Sequence, residues 1–167
     1  VHGGTGGVGQ LLVPMALEAG ASQVLATGRA ANAERIRELG ATPIPYDTSD
    51  WGEEVQRLTD ERGVDVVLDT HYHSTFLPSL DQLADGGRIV ALPSLADLSP
   101  ALERGIEARV PSIVPGRDRL DRLAQGIRSG RYPLEVSEVL PLAQIAEAHR
   151  RLEEGHTRGK LVLDVRA

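Results

Sequence analysis

The sequence predicts an α/β fold, a doubly wound parallel sheet with helices on both faces, and three observations predict it. The chain opens on a glycine-rich turn, Gly4-Thr5-Gly6-Gly7-Val8-Gly9, that runs straight into an apolar stretch of helical length. Short apolar runs of strand length then alternate with stretches of helical spacing, the order that repeated βαβ units require. One run, Val64 to Asp69, is rich in β-branched residues and reads as a strand buried on both faces.

Gly4, Gly6 and Gly9 fit G-x-G-x-x-G. The first suits a tight strand-to-helix turn, the second a close approach of backbone to a pyrophosphate, and the third close packing of helix on sheet. Phosphates would sit on the free N–H groups of the helix N-terminus, where the dipole favours negative charge. Together with the strand–helix alternation, this reads as a Rossmann-type dinucleotide site.

Composition narrows the function classes. A length of 167 residues suits a domain with a substantial core, and 41% hydrophobic with 25% charged residues is ordinary for a globular protein. The net charge of −6 argues against a nucleic-acid surface or an anionic membrane as partner. Without cysteine there are no disulfides and no thiolate chemistry. No apolar run reaches transmembrane length, and a cytoplasmic location is expected. Val1 leads directly into the turn with no initiator Met, so the chain is expected to be a piece cut inside its first strand.

The elements follow in order. Leu11 to Leu17 form the first helix, with Gly20 as its stop, and Pro14 inside it predicts a kink or a displaced start. Val24 to Thr27 is the second strand. A short helix covers about 31–39 and ends at Gly40. Thr42 to Tyr46 is a third strand, which Pro43 and Pro45 push to the sheet edge. Asp50 caps the next helix, with Glu53 completing a capping box. After the Val64–Asp69 strand, Leu77, Leu80 and Leu83 mark a helix, Gly86-Gly87 a turn, and Arg88 to Leu92 a strand. Ser99-Pro100 starts a helix, Val110 to Val114 is a sixth strand, and Leu120, Leu123 and Ile127 mark a helix ended by Gly130. A composition shift near Tyr132-Pro133 divides the chain into a dinucleotide-binding domain, 1–133, and a C-terminal segment, 134–167. That segment holds a strand around 136–139, a helix from Leu142 to Glu153 and a last strand from Leu161 to Val165.

Four stretches carry a family resemblance: Val1 to Gly9; Gly63-Val64-Asp65-Val66-Val67-Leu68-Asp69; Gly86-Gly87-Arg88-Ile89-Val90; and the tail from Pro141-Leu142 through Ala148-His149 to Gly159-Lys160-Leu161-Val162-Leu163. On these the chain resembles the zinc-independent branch of the medium-chain dehydrogenase/reductase superfamily, the quinone reductases of the zeta-crystallin type and the enoyl reductases related to them. The resemblance implies that 134–167 is the return segment of a GroES-like catalytic domain absent from this sequence. It implies NADPH-dependent hydride transfer to a small molecule, a quinone, an enone or an enoyl thioester, without zinc. It also implies that the loop after Asp69 and the loop after Leu92 border the nicotinamide, which brings Asp69, Thr70, His71, Leu92 and Pro93 to the cofactor. At these loops the chain departs from the family pattern, with His71-Tyr72-His73 for a small or glycine-containing loop and Pro93-Ser94 for a glycine. A homodimer of the complete protein, paired through Val110–Val114, is implied as well.

Arg29 stands about 20 residues past the glycine turn, where NAD enzymes place an acid for the ribose 2′-hydroxyl. No acid is near on that strand end, and a guanidinium there suits a 2′-phosphate, so NADP is the expected cofactor. Thr27 and Gly28 shape that pocket, and Arg35 is a second candidate for the phosphate. His71 and His73 have metal-like spacing, but two ligands do not close a zinc site, and no metal is expected. His2 and His149 read as structural, and Arg117, Arg119 and Arg122, interleaved with Asp118 and Asp121, as a solvated helix face. No catalytic acid or base has a motif behind it. Two other readings stay open: an NAD(P)-binding sensor resembling atypical short-chain reductases, which the Gly159-Lys160 pattern disfavours, and a cofactor-binding fragment without turnover.

Overall fold

The computed structural model describes residues 1–155 and 157–166. Among the described residues seven α-helices and seven strands follow in chain order: α1 Gly9–Glu18, β1 Leu25–Gly28, α2 Ala33–Glu38, β2 Thr42–Pro45, α3 Trp51–Leu58, β3 Val64–Asp69, α4 Phe76–Leu80, β4 Leu83–Ala91, α5 Ser99–Glu103, β5 Glu107–Arg109, α6 Arg117–Arg128, β6 Val136–Pro141, α7 Ile145–Glu153 and β7 Lys160–Asp164. Every strand pair is parallel, in ladders β2-β1, β3-β4-β5 and β6-β7.

Residues 1–4 join the first two ladders. The Val1 ammonium donates to the Leu25 carbonyl (2.8 Å), Thr27 N donates to the Val1 carbonyl (3.0 Å), and Gly4 N donates to the Thr27 carbonyl (2.8 Å). On the other side His2 N donates to the Leu68 carbonyl (3.0 Å). The order is therefore β2, β1, residues 1–4, β3, β4, β5, which reverses direction beside residues 1–4, as in a doubly wound dinucleotide fold. Two apolar clusters fill the layers. One gathers Val13, Val24, Ala26, Ile36, Leu39 and Ala41; the other Val67, Phe76, Leu80, Ile89, Ala91 and Ala101.

Local chemistry explains the element boundaries. Gly20 (φ 98°) and Gly40 (φ 94°) end α1 and α2 in the left-handed conformation open to glycine. Asp50 caps α3, its carboxylate accepting from Gly52 N (2.8 Å) and Glu53 N (3.0 Å). β2, with its two prolines, pairs only with β1 and so lies at the edge.

Several expectations are corrected. α1 starts at Gly9 and runs through Pro14, so its start is not displaced. Gly86-Gly87 lies inside β4 rather than in a turn, next to a register shift against β3 between Val64 and Val66. β3 is not buried on both faces: Asp65 and Val66 are exposed, because residues 1–4 pair only with its C-terminal half. Leu77 is exposed and Leu83 belongs to β4, which leaves α4 a short helix. Ser99 makes no side-chain cap; Asp97 accepts from Ser99 N instead (2.9 Å). Residues 110–114 form no strand. Pro111 has no N–H to donate to a ladder, Ile113 is 90% exposed, and the edge strand is β5. No helix among the described residues is long and apolar enough to cross a membrane.

The C-terminal ladder docks on the glycine turn. Gly6 and Gly159 form a parallel bridge, and Gly159 N donates to the Thr5 carbonyl (2.9 Å). Leu142 and Ile145, each 43% exposed, and Leu152, 53% exposed, leave an apolar face of this segment open.

Candidate functional site

The glycine turn sits at the C-terminal edge of the sheet, where the strand order reverses and α/β proteins of this type bind ligands. Gly6 N donates to the Gly3 carbonyl (2.9 Å) and closes the turn. Space alone requires glycine at two positions. A Cβ on Gly9 would overlap the Gly3 carbonyl oxygen, and one on Gly4 would meet Ala26 Cβ at 2.8 Å. α1 then begins with Val8 at its cap, no side-chain cap and no acid in its first turn. The N–H groups of Gly7, Val8 and Gly9 have no partner among the described residues. An uncapped helix N-terminus in a cradle shaped by glycines suits the diphosphate of a dinucleotide.

The residues that the sequence assigns to the ribose 2′-phosphate lie at the end of β1. Thr27 is buried and fully engaged: its Oγ1 accepts from Gly3 N (3.1 Å) and pairs with His2 Nδ1 (3.2 Å). Gly28 is buried, and a Cβ there would meet Ile36 at 2.7 Å. Arg29 is exposed and makes no ion pair among the described residues. Arg35, the second candidate, is turned away. Its guanidinium donates to the Pro133 carbonyl (3.1 Å), pairs with Glu38 (3.0 Å) and lies 3.4 Å from the Glu135 carboxylate. An acid absent from the strand end in sequence is present in space. Asp47 Oδ1 accepts from Ala30 N (2.8 Å), one residue past Arg29. The parallel register of β1 and β2, in which Gly28 faces Pro45, is the signal that places residues 29–30 beside 46–47.

The loop after β3 is ordered by one carboxylate. Asp69 is fully buried; its Oδ1 accepts from His71 N and Tyr72 N, each at 2.9 Å, and both oxygens face Thr75 Oγ1. Its carbonyl accepts from Leu92 N (2.8 Å), which sets the start of the Leu92-Pro93 loop beside it. Asp69 thus positions the loop and has no side-chain oxygen turned to a ligand. Thr70 Oγ1 donates to the His2 carbonyl (2.9 Å), and His71 and His73 stay exposed. Tyr72, held at φ 73°, ties the two loops together, its hydroxyl accepting from Asp97 N (2.9 Å) and donating to the Asp97 carbonyl (3.1 Å).

Behind this edge His2 is buried, as a structural residue should be. Its Nε2 pairs with Ser79 Oγ (2.8 Å), and its ring stands edge-on to Trp51 at 4.9 Å. Burial, with the nearby Val1 ammonium adding to it, lowers its pKa to about 4, so the ring is neutral at physiological pH. Among the described residues no three His, Cys, Asp or Glu side chains converge to hold a metal ion.

Sequence reasoning missed two groups. Gln10 joins α1 to the C-terminal segment, and Lys160, the first residue of β7, lays its side chain over Gly7. Gln10 carries no motif, and Lys160 stands in the sequence only within the Gly159-Lys160 pattern; the fold brings both to the turn.

The sequence model of the zinc-binding dehydrogenase family matches residues 39–163. The chain is 28% identical over 179 residues to the 2-haloacrylate reductase of a Burkholderia species, covering 98% of this chain and 54% of that protein. Its fold superposes on the quinone oxidoreductase of Coxiella burnetii with a TM-score of 0.88 at 29% identity, covering 98% of this chain and 51% of that one. On the Escherichia coli quinone oxidoreductase complexed with NADPH the TM-score is 0.83 at 28% identity, covering 97% and 55%. The chain thus spans about half the length of these relatives.

Proposed function

The chain belongs to the zinc-binding dehydrogenase family, in the zinc-independent quinone-oxidoreductase branch of the medium-chain dehydrogenases/reductases, and from that membership we propose that it is the cofactor-binding half of an NADPH-dependent reductase of quinones or activated double bonds. The observation that carries this reading is the uncapped N-terminus of α1, cradled by Gly4 and Gly9 at the switch point of the sheet. When bound, the dihydronicotinamide supplies the hydride. The chain's own residues bind and orient. Gly7, Val8 and Gly9 present N–H groups to the diphosphate, Arg29 pairs with the 2′-phosphate, and the Asp69-ordered loop with Leu92-Pro93 borders the nicotinamide. The names of a 2-haloacrylate reductase and of quinone oxidoreductases support an acceptor that is an electron-poor double bond or a quinone.

In this reading residues 1–133 form the dinucleotide-binding domain and 134–167 return to a GroES-like catalytic domain in the complete protein. The open apolar face at Leu142, Ile145 and Leu152 supports that division. The free outer edge of β5 supports a homodimer of the complete protein. Hydride transfer needs donor and acceptor about 3–3.5 Å apart in line. With one wall of the cleft, the chain alone should bind cofactor and turn over weakly. The test is to titrate NADPH and NADH and to follow NADPH oxidation with a small quinone and a panel of enones. Binding of NADPH with slow oxidation is expected. No binding of either nucleotide would sink the reading. Turnover at about 1–10³ per second would refute the division and move the catalytic groups into this chain, with His71, Tyr72 and His73 the first to mutate.

A further inference from the structure

Resting on the dinucleotide reading above, we propose that Tyr72 is a positioning residue for the cofactor: its side chain locks the loop after β3 and the loop after β4 into one wall for the nicotinamide half of the dinucleotide. Tyr72 stands in the left-handed region at φ 73°. A bulky side chain takes that conformation only where its surroundings impose it, whereas glycine takes it freely. Among the described residues two other non-glycine residues share the region, Asp60 and Glu61. Both lie between α3 and β3, at the opposite edge of the sheet. The strain at Tyr72 is held by contacts on every side of the residue. Its N–H donates to Asp69 Oδ1 (2.9 Å), and its carbonyl accepts from Phe76 N (2.9 Å) at the start of α4. Its ring packs on Phe76, with centroids 5.0 Å apart, and on the second apolar cluster. The hydroxyl is left to cross to the neighbouring loop.

That loop, residues 92–98, depends on the crossing. At its base Leu92 N donates to the Asp69 carbonyl (2.8 Å), and further on Ala96 N donates to the Pro93 carbonyl (3.2 Å) within the loop itself. Among the described residues, the two bonds between the Tyr72 hydroxyl and the backbone of Asp97 are the only hydrogen bonds from 93–97 to anything beyond the loop and the adjoining α5. The loop after β3 is in turn continuous with the glycine turn. Thr70 Oγ1 donates to the His2 carbonyl (2.9 Å), and a Cβ on Gly3 would meet that oxygen at 2.9 Å. Turn, first loop and second loop thus make one rim at the C-terminal edge of the sheet. A dinucleotide spans the two halves of a doubly wound sheet. With its 2′-phosphorylated half at the end of β1, its other half falls to the ends of β3 and β4, where this rim stands. A loop held only at its base must be ordered by the ligand at a cost in affinity; a loop ordered beforehand avoids that cost.

The clamp should therefore be felt by the whole cofactor and not by its adenosine half. Affinities of NADPH and of adenosine 2′,5′-bisphosphate are measured for the unmodified chain, for Tyr72→Phe and for Tyr72→Gly. The phenylalanine keeps the ring and removes both bonds to Asp97. The glycine removes the clamp and relieves the strain, so it stays folded if the phenylalanine variant does not. Each is expected to weaken NADPH by about three- to tenfold and to leave the bisphosphate unchanged. A tyrosine that only supports the fold would lower the thermal midpoint without moving the ratio of the two affinities. Amide exchange adds a readout that needs no variant: the Asp97 N–H should be protected in the unmodified chain before nucleotide is added. NADPH bound equally well by the variants, an equal loss of both ligands, or an unprotected Asp97 amide in the unmodified chain overturns the assignment and leaves the dinucleotide site standing. Absence of NADPH binding by the unmodified chain overturns both.

Discussion

Gln10 and Glu135, 125 residues apart in sequence, exchange two hydrogen bonds: Glu135 N donates to the Gln10 carboxamide oxygen (2.7 Å), and the carboxamide nitrogen donates to the Glu135 carbonyl (3.3 Å). The side chain of Gln10 imitates a strand neighbour and fastens the start of β6 to the first turn of α1. It is 1% exposed, so water cannot replace either bond. Gln10→Ala should destabilise the chain by about 2–4 kcal/mol, since it leaves a buried donor and acceptor unpaired and opens a cavity. Gln10→Glu should fare no better, because a carboxylate cannot donate to the Glu135 carbonyl. The measure is the urea midpoint, with faster amide exchange expected in β6 and β7. An unchanged midpoint would show that the two parts hold together without Gln10.

His2 predicts a pH dependence of defined sign. Its pKa is about 4 in the fold against 6.5 unfolded, so between these values the unfolded chain takes up a proton that the folded chain refuses. Stability is full above pH 6.5, falls as pH drops towards 4, and is flat below that as far as His2 is concerned. The loss is on the order of 3 kcal/mol. Asp69 opposes the shift of His2, and His71 adds to it. Trp51, the only tryptophan, reports unfolding beside the ring. The stability difference between the unmodified chain and His2→Gln should shrink from pH 7 to pH 4; a constant difference would contradict the assignment.

What the sequence made legible was set by local sterics and by period. Gly4 and Gly9 could be read because the space they need is denied by neighbours in the turn and the adjoining strand. Asp50 could be read because a cap acts within three residues, and the β2 edge because Pro43 and Pro45 lack N–H groups. Position 110–114 misled because its β-branched residues match a strand while Pro111 breaks the ladder. Asp65 and Val66 misled because burial depends on which neighbour reaches them. Arg35 was readable as a cation but not in its direction, which is fixed by Pro133 and Glu135 far along the chain. The contacts of Gln10 and Lys160 were unreadable for the same reason. Their partners exist only once the C-terminal ladder has docked.

The proposed preference for NADPH sets two opposed charges at the end of β1 against each other. Arg29 is exposed and free of ion pairs among the described residues, and Asp47 already occupies the N–H of Ala30 beside it. The guanidinium favours a 2′-phosphate. The carboxylate repels it and takes up one of the N–H groups that could bind it. Arg29→Ala should therefore weaken NADPH by about ten- to hundredfold and leave NADH nearly unchanged. Asp47→Asn keeps an oxygen for Ala30 N but removes the charge. It should raise the preference for NADPH by a few fold at low ionic strength, and added salt should erase most of that gain, because both groups are solvated. Competitive titration of the two nucleotides at low and at physiological salt measures both effects. Equal binding of NADH and NADPH by the unmodified chain and by both variants would mean that neither charge reaches the ribose, and that this chain selects its cofactor elsewhere or not at all.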